Sequence, residues 1–344
     1  MNKRVRVQDI ANKLGISRNT VSRALNNQPG LSRERRREIL NCAAEMGYMR
    51  IISTDETSKK NNDAKQIALF TQNFPYGSHF GTIALSHFQN ELHKNGYVMN
   101  IFALSPESIS KLILPQNFHI EQHAGIICME LFDKNYLNLL SDFNIPMLCV
   151  DAAYDADFNR LKSDLLLMEN RLSVGRQVET LISKGKKRFA FAGNPHHCLS
   201  FCERYESFNQ TLALHNIKPS NNVYCTSKNP VFEDPALLHK VVTSEHNWPE
   251  VFICANDGTA IDLICEMRKN NISIPKDVWI AGFDNAQESR ILDVPLSTIN
   301  IPSKDMGKLA ADMIMSRIDS PDIAYRSLYV RCDLIWKEST PGLA

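Results

Sequence analysis

The stretch from Val7 to Asn26, VQDIANKLGISRNTVSRALN, constrains this chain more than any other. Its apolar residues recur at helical spacing on both sides of Gly15, which predicts two short amphipathic helices. Glycine takes the positive φ of a helix end at little cost, and Ser17 is a good N-cap for the second helix. The stretch therefore predicts a helix-turn-helix, whose second helix enters the DNA major groove.

The predicted second helix carries polar side chains on its exposed face, where Arg18, Asn19, Ser22 and Arg23 point outward. Arginine can donate two hydrogen bonds to guanine, asparagine can bind adenine in the same way, and hydroxyl groups can donate to phosphates. The alternative is an ordinary helical hairpin with a solvated polar face, because short motifs match by chance.

The charge distribution favours a polyanion-binding head. Residues 1–50 contain eleven Lys and Arg against four Asp and Glu, so this segment carries +7 of a total net charge of +1 and the remainder carries −6. A basic head on an acidic body is typical of a nucleic-acid-binding module attached to a second domain. A merely solvated basic face is the alternative, but here the charge coincides with the motif.

The composition is that of a globular protein of more than one domain, with 344 residues, 43% hydrophobic and 22% charged. No apolar run is long enough to cross a membrane, and no apolar segment follows the basic N-terminus as in a secretory signal. Nine cysteines lie scattered without a CxxC pair, which favours a reducing compartment. We therefore expect a cytoplasmic protein without membrane contact.

The pattern after the motif predicts three regions. A third helix begins near Ser32 and ends near Gly47, completing an all-α head of residues 1–48, and the polar stretch 49–65 indicates a linker. From residue 66 to residue 344, short β-branched runs alternate with helical patterns, which predicts parallel sheets. Roughly ten strands are many for one open sheet, so we expect two α/β lobes with a ligand cleft between them.

The predicted strands are Ile67–Thr71, Tyr97–Ala103, Gly125–Met129, Met147–Val150, Arg188–Ala192, Val251–Ala255, Val278–Phe283 and Ser297–Ile301. The predicted helices of this core cover residues 79–94, 171–184, 199–215, 258–270 and 303–317.

The head and the core together resemble the lactose-repressor/galactose-repressor (LacI/GalR) family of bacterial transcription regulators. The head matches through TVSRALN and the later EMGY. The core matches, in the same order along the chain, through PMLCVD, KRFAFAGNP, ERYESF, FICANDGTAI, DVWIAGFDN and PLSTINIP. The ordered series covers nearly the whole chain, which makes it far more specific than the helix-turn-helix alone.

The resemblance implies a homodimer that binds pseudo-palindromic operator DNA. It implies a core of two Rossmann-like parallel-sheet lobes of the periplasmic-binding-protein type I, with no cofactor and no enzymatic activity. We place lobe 1 at residues 66–168 and 302–320, and lobe 2 at residues 169–301 and 321–340. By position in the family, the base-reading residues are Arg18, Asn19 and Arg23, and the phosphate contacts are Ser17, Thr20, Ser22 and Asn26.

The resemblance also implies that a small effector, a sugar or sugar phosphate, binds between the lobes. Arg204 stands where the family places a ligand-binding arginine, Asn256 and Asp284 stand where polar groups bind hydroxyls, and Asp151 ends a first-lobe strand at the cleft. Without the family, Arg204 reads as a surface arginine and Asp284 as a turn residue. The further predicted effector contacts are His79 and Phe80 from the first lobe, with Phe232 as an aromatic floor.

Two segments depart from the family pattern. The family usually has a short hinge helix with a leucine that wedges into the minor groove, but ISTDETSKK contains no leucine. Ser53 and Glu56 have the spacing to cap a single turn there, and Ile51 or Ile52 is the candidate wedge. After Gly185 the chain has Lys-Lys where the family usually has Gly-His.

Rival classes fit less well. An enzyme lacks support because there is no GxGxxG, Walker or GxSxG motif, and the acids Asp284 and Glu288 have no placed partner. The run His196-His197-Cys198, with Cys202, does not have a standard zinc spacing. The basic head argues against a secreted sugar-binding protein. A regulator of carbohydrate-utilisation genes is the prediction, and a regulator with a nucleobase or sugar phosphate as corepressor stays open.

Overall fold

The computed structural model describes residues 7–25, 35, 39, 42, 65–72, 79–220, 235–244 and 247–343. The chain divides into two units, residues 1–63 and 64–344. Of the predicted linker 49–65, the structure describes Lys65 alone, and this residue begins a strand. The hinge-helix predictions at residues 51–56 lie outside the described residues.

The first unit contains the two predicted helices, α1 (Val7–Leu14) and α2 (Arg18–Leu25). Gly15 has a φ of +63°, and the N–H of Ile16 donates to the Ala11 carbonyl at 3.0 Å, which closes the C-terminus of α1. The hydroxyl of Ser17 accepts the N–H of Thr20 at 3.0 Å and caps α2. Gly15 and Ser17 therefore have the roles that the sequence predicts.

A small apolar cluster forms the core of this unit. Ile10 and Ala11 of α1 pack with Val21 of α2 and with Ile39 and Cys42, and none of these is more than 5% exposed. Residues 35, 39 and 42 are helical, and the remainder of the predicted third helix lies outside the described residues.

The second unit alternates helices and strands. Its described helices are α3 (His79–Lys94), α4 (Pro106–Ser110), α5 (Lys134–Ser141), α6 (Arg171–Ser183), α7 (Leu199–Leu214), α8 (Pro235–Ser244), α9 (Asp257–Lys269) and α10 (Ser303–Asp319). Its described strands are β1 (Lys65–Thr71), β2 (Tyr97–Ala103), β3 (His123–Met129), β4 (Met147–Val150), β5 (Asp164–Met168), β6 (Phe189–Ala192), β7 (Val251–Cys254), β8 (Trp279–Ala281), β9 (Thr298–Asn300), β10 (Ser327–Val330) and β11 (Asp333–Ile335).

The strands form two parallel sheets, one in each lobe. The lobe 1 sheet has the order β10-β5-β4-β3-β1-β2, and the lobe 2 sheet has the order β6-β7-β8. Strand β9 continues lobe 2 through parallel bridges from Ala281 to Ser297 and from Asp284 to Asn300, and β11 pairs antiparallel with β9. The predicted α/β core of two parallel-sheet lobes is confirmed.

Each sheet is covered on both faces. In β1, Ile67 and Leu69 belong to one apolar cluster, whereas Ala68 and Phe70 belong to another. Successive residues of a strand point to opposite faces, so both faces of this strand are buried. This is the reason that β1 appears in the sequence as a continuous apolar run.

The chain crosses between the lobes three times, after β5, after β9 and after β10. Strand β10 pairs with β5 in lobe 1, so the assignment of residues 321–340 to lobe 2 needs correction for this strand. The physical reason is the carboxylate of Asp164 in β5, which is fully buried and accepts hydrogen bonds from both Arg317 of α10 and Arg326 before β10. Two guanidinium groups around one buried carboxylate hold α10 and β10 on the lobe 1 sheet.

Helices α3 and α10 touch at Gly307. A Cβ atom at this position would lie 2.2 Å from the Ala84 carbonyl oxygen, which belongs to the backbone of α3. We expect Gly307→Ala to lower the free energy of unfolding by about 1–3 kcal/mol, because the two helices must separate. Urea denaturation measures the loss.

Gly258→Ala is the matched control, because a Cβ atom there has its nearest neighbour at 3.6 Å. This control should keep wild-type stability within about 1 kcal/mol. Equal stability of the two variants would contradict the close approach of α3 and α10.

Candidate effector cleft and DNA-facing helix

The cleft between the lobes lies at the carboxyl ends of strands from both sheets, where ligands bind in open α/β folds. It encloses a cavity of about 140 Å³. Its described lining residues are Met129, Glu130, Phe132, Val150, Asp151, Met168, His197, Cys198, Ser200, Phe201, Arg204, Asn256, Asp284 and Ile301. Four of the predicted effector residues, Asp151, Arg204, Asn256 and Asp284, therefore come together here.

Arg204 of α7 is the central charge of the cleft and is only 2% exposed. Its Nε donates to Asn170 Oδ1 at 2.8 Å, and its Nη1 donates to the Ala255 carbonyl at 2.6 Å. The guanidinium carbon lies 3.5 Å from the ring centre of Phe283, a cation–π contact. No hydrogen bond from Nη2 to the described residues is observed, so this nitrogen remains available for a ligand.

A second layer of contacts fixes the orientation of Arg204. Asn170 lies on the first crossover between the lobes, and its Nδ2 donates to Glu203 Oε2 at 2.8 Å. Glu203 also accepts the hydroxyl of Tyr329, from β10, at 3.0 Å and lies 3.5 Å from the Nε of Arg171. The position of Arg204 thus depends on Asn170 from the first crossover and, through Glu203, on Tyr329 from β10.

Asp284 faces Arg204 from the segment after β8, with Oδ1 at 3.8 Å from Nη1. Burial raises the pKa of Asp284 to about 8, with Asp257 and Glu130 adding to the rise and Arg204 opposing it. Its φ of +116° is unusual for a residue with a side chain. At neutral pH this carboxyl is therefore mostly protonated, and it can donate as well as accept a hydrogen bond.

Asp151 follows β4 and connects the lobes. Its Oδ1 accepts the N–H groups of Ala152 at 2.7 Å and of Ser200, in the first turn of α7, at 3.2 Å. The N–H of Leu199 donates to the Ala152 carbonyl at 2.9 Å. One oxygen of Asp151 therefore holds the N-terminus of a lobe 2 helix against lobe 1.

Asn256 follows β7 and is the N-cap of α9, since its Oδ1 accepts the N–H of Thr259 at 2.9 Å. The residue lines the cleft, but its amide oxygen already has a structural partner. Its Nδ2 group is the part that can serve a ligand.

Sequence reasoning missed the apolar walls and the supporting amide. Phe132 and Phe201 line the cleft, Phe283 lies under Arg204, and Asn170 orients it. Phe132 comes shortly after β3, so its place after a strand was a usable signal, whereas nothing local marks Asn170. Phe232 lies outside the described residues, and the described part of His79 and Phe80 is the backbone of α3 alone.

The histidines of the unusual His-His-Cys run pack against aromatic rings in edge-to-face or tilted arrangements. The ring of His197 lies 5.1 Å from those of Phe132 and Phe201, and His196 lies 4.7 Å from Tyr154. Within the described residues, no group of three or more His, Cys, Asp or Glu side chains is placed to hold a metal ion.

On the head, the polar residues of the second helix that the sequence predicts to point outward differ in exposure. Ser17, Arg18 and Asn19 are exposed, and Thr20, Ser22 and Arg23 are half-buried. The hydroxyls of Ser17 and Thr20 lie 2.8 Å apart. Asn26 lies outside the described residues.

Comparison with known proteins assigns both units. Residues 6–50 match the family described as bacterial regulatory proteins, lacI family, and residues 178–340 match the periplasmic binding protein-like domain. The ribose operon repressor of Haemophilus influenzae is 24% identical over 98% of this chain and 99% of its own length.

Two solved structures share the fold over 98% of this chain. One is the transcriptional regulator CelR–cellobiose complex, with a TM-score of 0.65, 18% identity and 100% of that chain covered. The other is a lac repressor dimer bound to operator and the anti-inducer ONPF, with a TM-score of 0.66, 17% identity and 99% of that chain covered.

The fold and the two matched domains define a DNA-binding transcription regulator with a periplasmic-binding-protein-like core. Residues 6–50 form a DNA-binding domain of the lacI family of bacterial regulatory proteins, and similarity to LacI-family repressors extends over nearly the whole chain. Across the described residues, no helix is long and apolar enough to span a membrane.

The raised pKa of Asp284 predicts a pH-dependent cost in stability. Because the folded-state pKa of about 8 lies above the ordinary value of 3.8, protonation of Asp284 favours folding at low pH, and this contribution is lost as pH rises from about 4 to about 8. Asp284→Asn cannot ionise. We expect the variant to gain stability over the wild type along this range, reaching on the order of 5 kcal/mol at pH 8, because one pKa unit corresponds to about 1.4 kcal/mol.

Urea denaturation of the full chain at several pH values measures the difference in the free energy of unfolding between variant and wild type. Asp257 is present in both proteins. The exposed Asp322→Asn is the control and should give a flat difference. A flat difference for Asp284→Asn as well would rule out the predicted ionisation behaviour.

Proposed function

We propose that this chain is a repressor of carbohydrate-utilisation genes whose operator affinity is set by a sugar-like effector in the cleft around Arg204. The observation that carries the proposal is the pairing of Arg204 with Asp284 at 3.8 Å, inside a cavity at strand ends, in a chain that has a LacI-family DNA-binding domain. The regulator CelR, which has a similar fold, forms a complex with cellobiose, and this supports a sugar as the effector of the present chain.

The proposed chemistry is hydroxyl recognition. Arg204 Nη2 and Asn256 Nδ2 supply donors, and the mostly protonated carboxyl of Asp284 can both donate and accept, as a sugar hydroxyl also does. The rings of Phe132 and Phe201 offer apolar surface to the C–H groups of a sugar. Asp151 contributes its second oxygen from lobe 1.

The proposed DNA contacts follow the exposure of α2. Arg18 and Asn19 read bases with Arg23 beside them, and Ser17, Thr20 and Ser22 bind phosphates, as does Asn26 by its position in the sequence. His79, Phe80 and Phe232 remain proposed effector contacts on the resemblance to the family. The protein acts in the cytoplasm, where the operator is.

The proposed assembly is a homodimer, because a pseudo-palindromic operator requires two heads about one helical turn, roughly 34 Å, apart or a multiple of it. Strand β2 supports this, since it lies at one edge of the lobe 1 sheet and exposes Val98 and Ile101. The effector controls operator affinity by binding one lobe arrangement more tightly than the other.

A thermal-shift screen of the full chain with sugars and sugar phosphates tests the effector site, because a bound ligand raises stability by mass action. We expect Arg204→Ala to weaken binding of the ligand identified in this screen by about 10- to 100-fold or more, because a buried charged donor is lost. Operator binding without effector should be unchanged. Arg176→Ala, which removes an exposed arginine of α6, is the control. A normal effector response in Arg204→Ala would remove this residue from the site.

The DNA-reading role of Arg18 is tested on an operator selected from random DNA. We expect Arg18→Ala to lose about 1–3 kcal/mol of binding energy on that operator and to accept other bases at one position. Binding to random DNA should fall much less. Equal losses on the two DNAs would mean that Arg18 binds the backbone only.

A further inference from the structure

A second cavity adjoins the effector cleft. It encloses about 320 Å³ and shares Asp284 and Ile301 with the cleft, so one ligand can reach both. Its other described lining residues are Ile83, Asn285, Arg290, Asn300, Pro302, Ser303, Lys304 and Asp305. The cavity thus extends from the crossover between β9 and α10 to the first turn of α10.

The two cavities differ in charge. The effector cleft is lined by the carboxyl groups of Glu130, Asp151 and Asp284, and Arg204 is the only Lys or Arg among its described lining residues. Arg204 already faces Asp284 and donates to two protein oxygens. Although Asp284 is mostly protonated, a phosphate dianion placed there would face the carboxyl groups of Glu130 and Asp151 in a desolvated site, which is unfavourable.

The second cavity has cations available instead. Lys304, which is exposed, forms no ion pair with the described residues, and Arg290 makes only long contacts of 3.4 and 3.5 Å to Asn285. The acidic residue Asp305 lies 3.7 Å from the ammonium of Lys308. The amides of Asn285 and Asn300 are bonded to each other at 2.9 Å.

A further buried cation adds to the positive charge on this side. The Nζ of Lys337 is buried and has no hydrogen-bond partner in the described part of the chain. Burial lowers the pKa of Lys337, and Arg290 lowers it further although Asp257 opposes the change. The positive charge of Arg290 thus acts on Lys337, although Lys337 lines neither cavity.

We propose that the effector is a phosphorylated sugar whose hydroxyl groups bind in the cleft at Arg204 and Asp284 and whose phosphate binds in the second cavity at Arg290 and Lys304. The inference rests on the proposed function, since it specifies the ligand of the same site. Two cations and the N-terminal turn of α10 suit a dianion, because charge-assisted bonds to phosphate are strong.

Titration of the full-length protein with matched sugars tests the proposal, using ribose with ribose 5-phosphate and glucose with glucose 6-phosphate. We expect the phosphorylated member of at least one pair to bind about tenfold or more tightly than its parent. The double variant Lys304→Gln/Arg290→Gln should lose this preference and keep the affinity for the neutral parent within about twofold. Lys276→Gln/Arg176→Gln removes the same two charges from exposed positions that line neither cavity, and it should keep the preference.

The outcomes separate this inference from the proposed function. Neutral sugars that bind through Arg204 with no gain from the phosphate would overturn the phosphate site and leave the sugar effector standing. A preference that survives in Lys304→Gln/Arg290→Gln would overturn the site as well. If no sugar, phosphorylated or neutral, binds the wild type, the proposed function fails and the inference fails with it.

Discussion

A guanidinium group that is removed from water needs acceptors for its N–H donors and favourable surroundings for its charge. In this protein Arg204 carries such a buried guanidinium. Its partners come from distant parts of the chain, because Asn170 belongs to a crossover, Ala255 follows β7, and Phe283 and Asp284 follow β8. A buried charge is tolerated only when all such partners arrive together. The ends of several strands are therefore brought to one point by a single side chain.

The two aspartates of the cleft show how strand ends produce a binding site. Asp151 and Asp284 both have positive φ, Asp151 directly after β4 and Asp284 three residues after β8, so the chain turns sharply there and leaves each carboxyl near the edge of its sheet. Strained backbone at a strand end is a frequent property of functional sites. Asp151 uses one oxygen to hold α7 against lobe 1, whereas Asp284 keeps its carboxyl directed at Arg204. One carboxyl connects the lobes and the other is available to a ligand.

Much of the fold follows from local pattern, and the exceptions have local reasons. Helix α3 and strands β2 and β4 have the predicted bounds, since their apolar runs and end signals are clear. Strand β5, DLLLM, escaped prediction because it is buried on both faces, so it shows no alternation, and leucine does not favour strands over helices. Strand β10 has alternating exposure in only four residues, at the edge of the sheet, and its membership of lobe 1 depends on Asp164.

Asp151, Asn256 and Asp284 lie at the ends of predicted strands, but the sequence assigned them to the cleft only through the resemblance to a family. Arg204 was found through the resemblance to a family, because an arginine within a helix carries no sign that it is buried. Asn170 and the second cavity were not predictable, since both arise from segments that meet only in the folded core.

The three crossovers also determine when the core can be completed during synthesis. Lobe 1 begins with β1 but needs α10 and β10, which follow strands β6 to β9 of lobe 2 along the chain, and lobe 2 needs β11. Until then, Asp164 is a carboxylate without Arg317 and Arg326, and the face of the sheet that α10 covers is exposed to solvent. Neither lobe can therefore fold to completion before β10 and β11 have been synthesised, which makes completion of both lobes a late step in folding of the core.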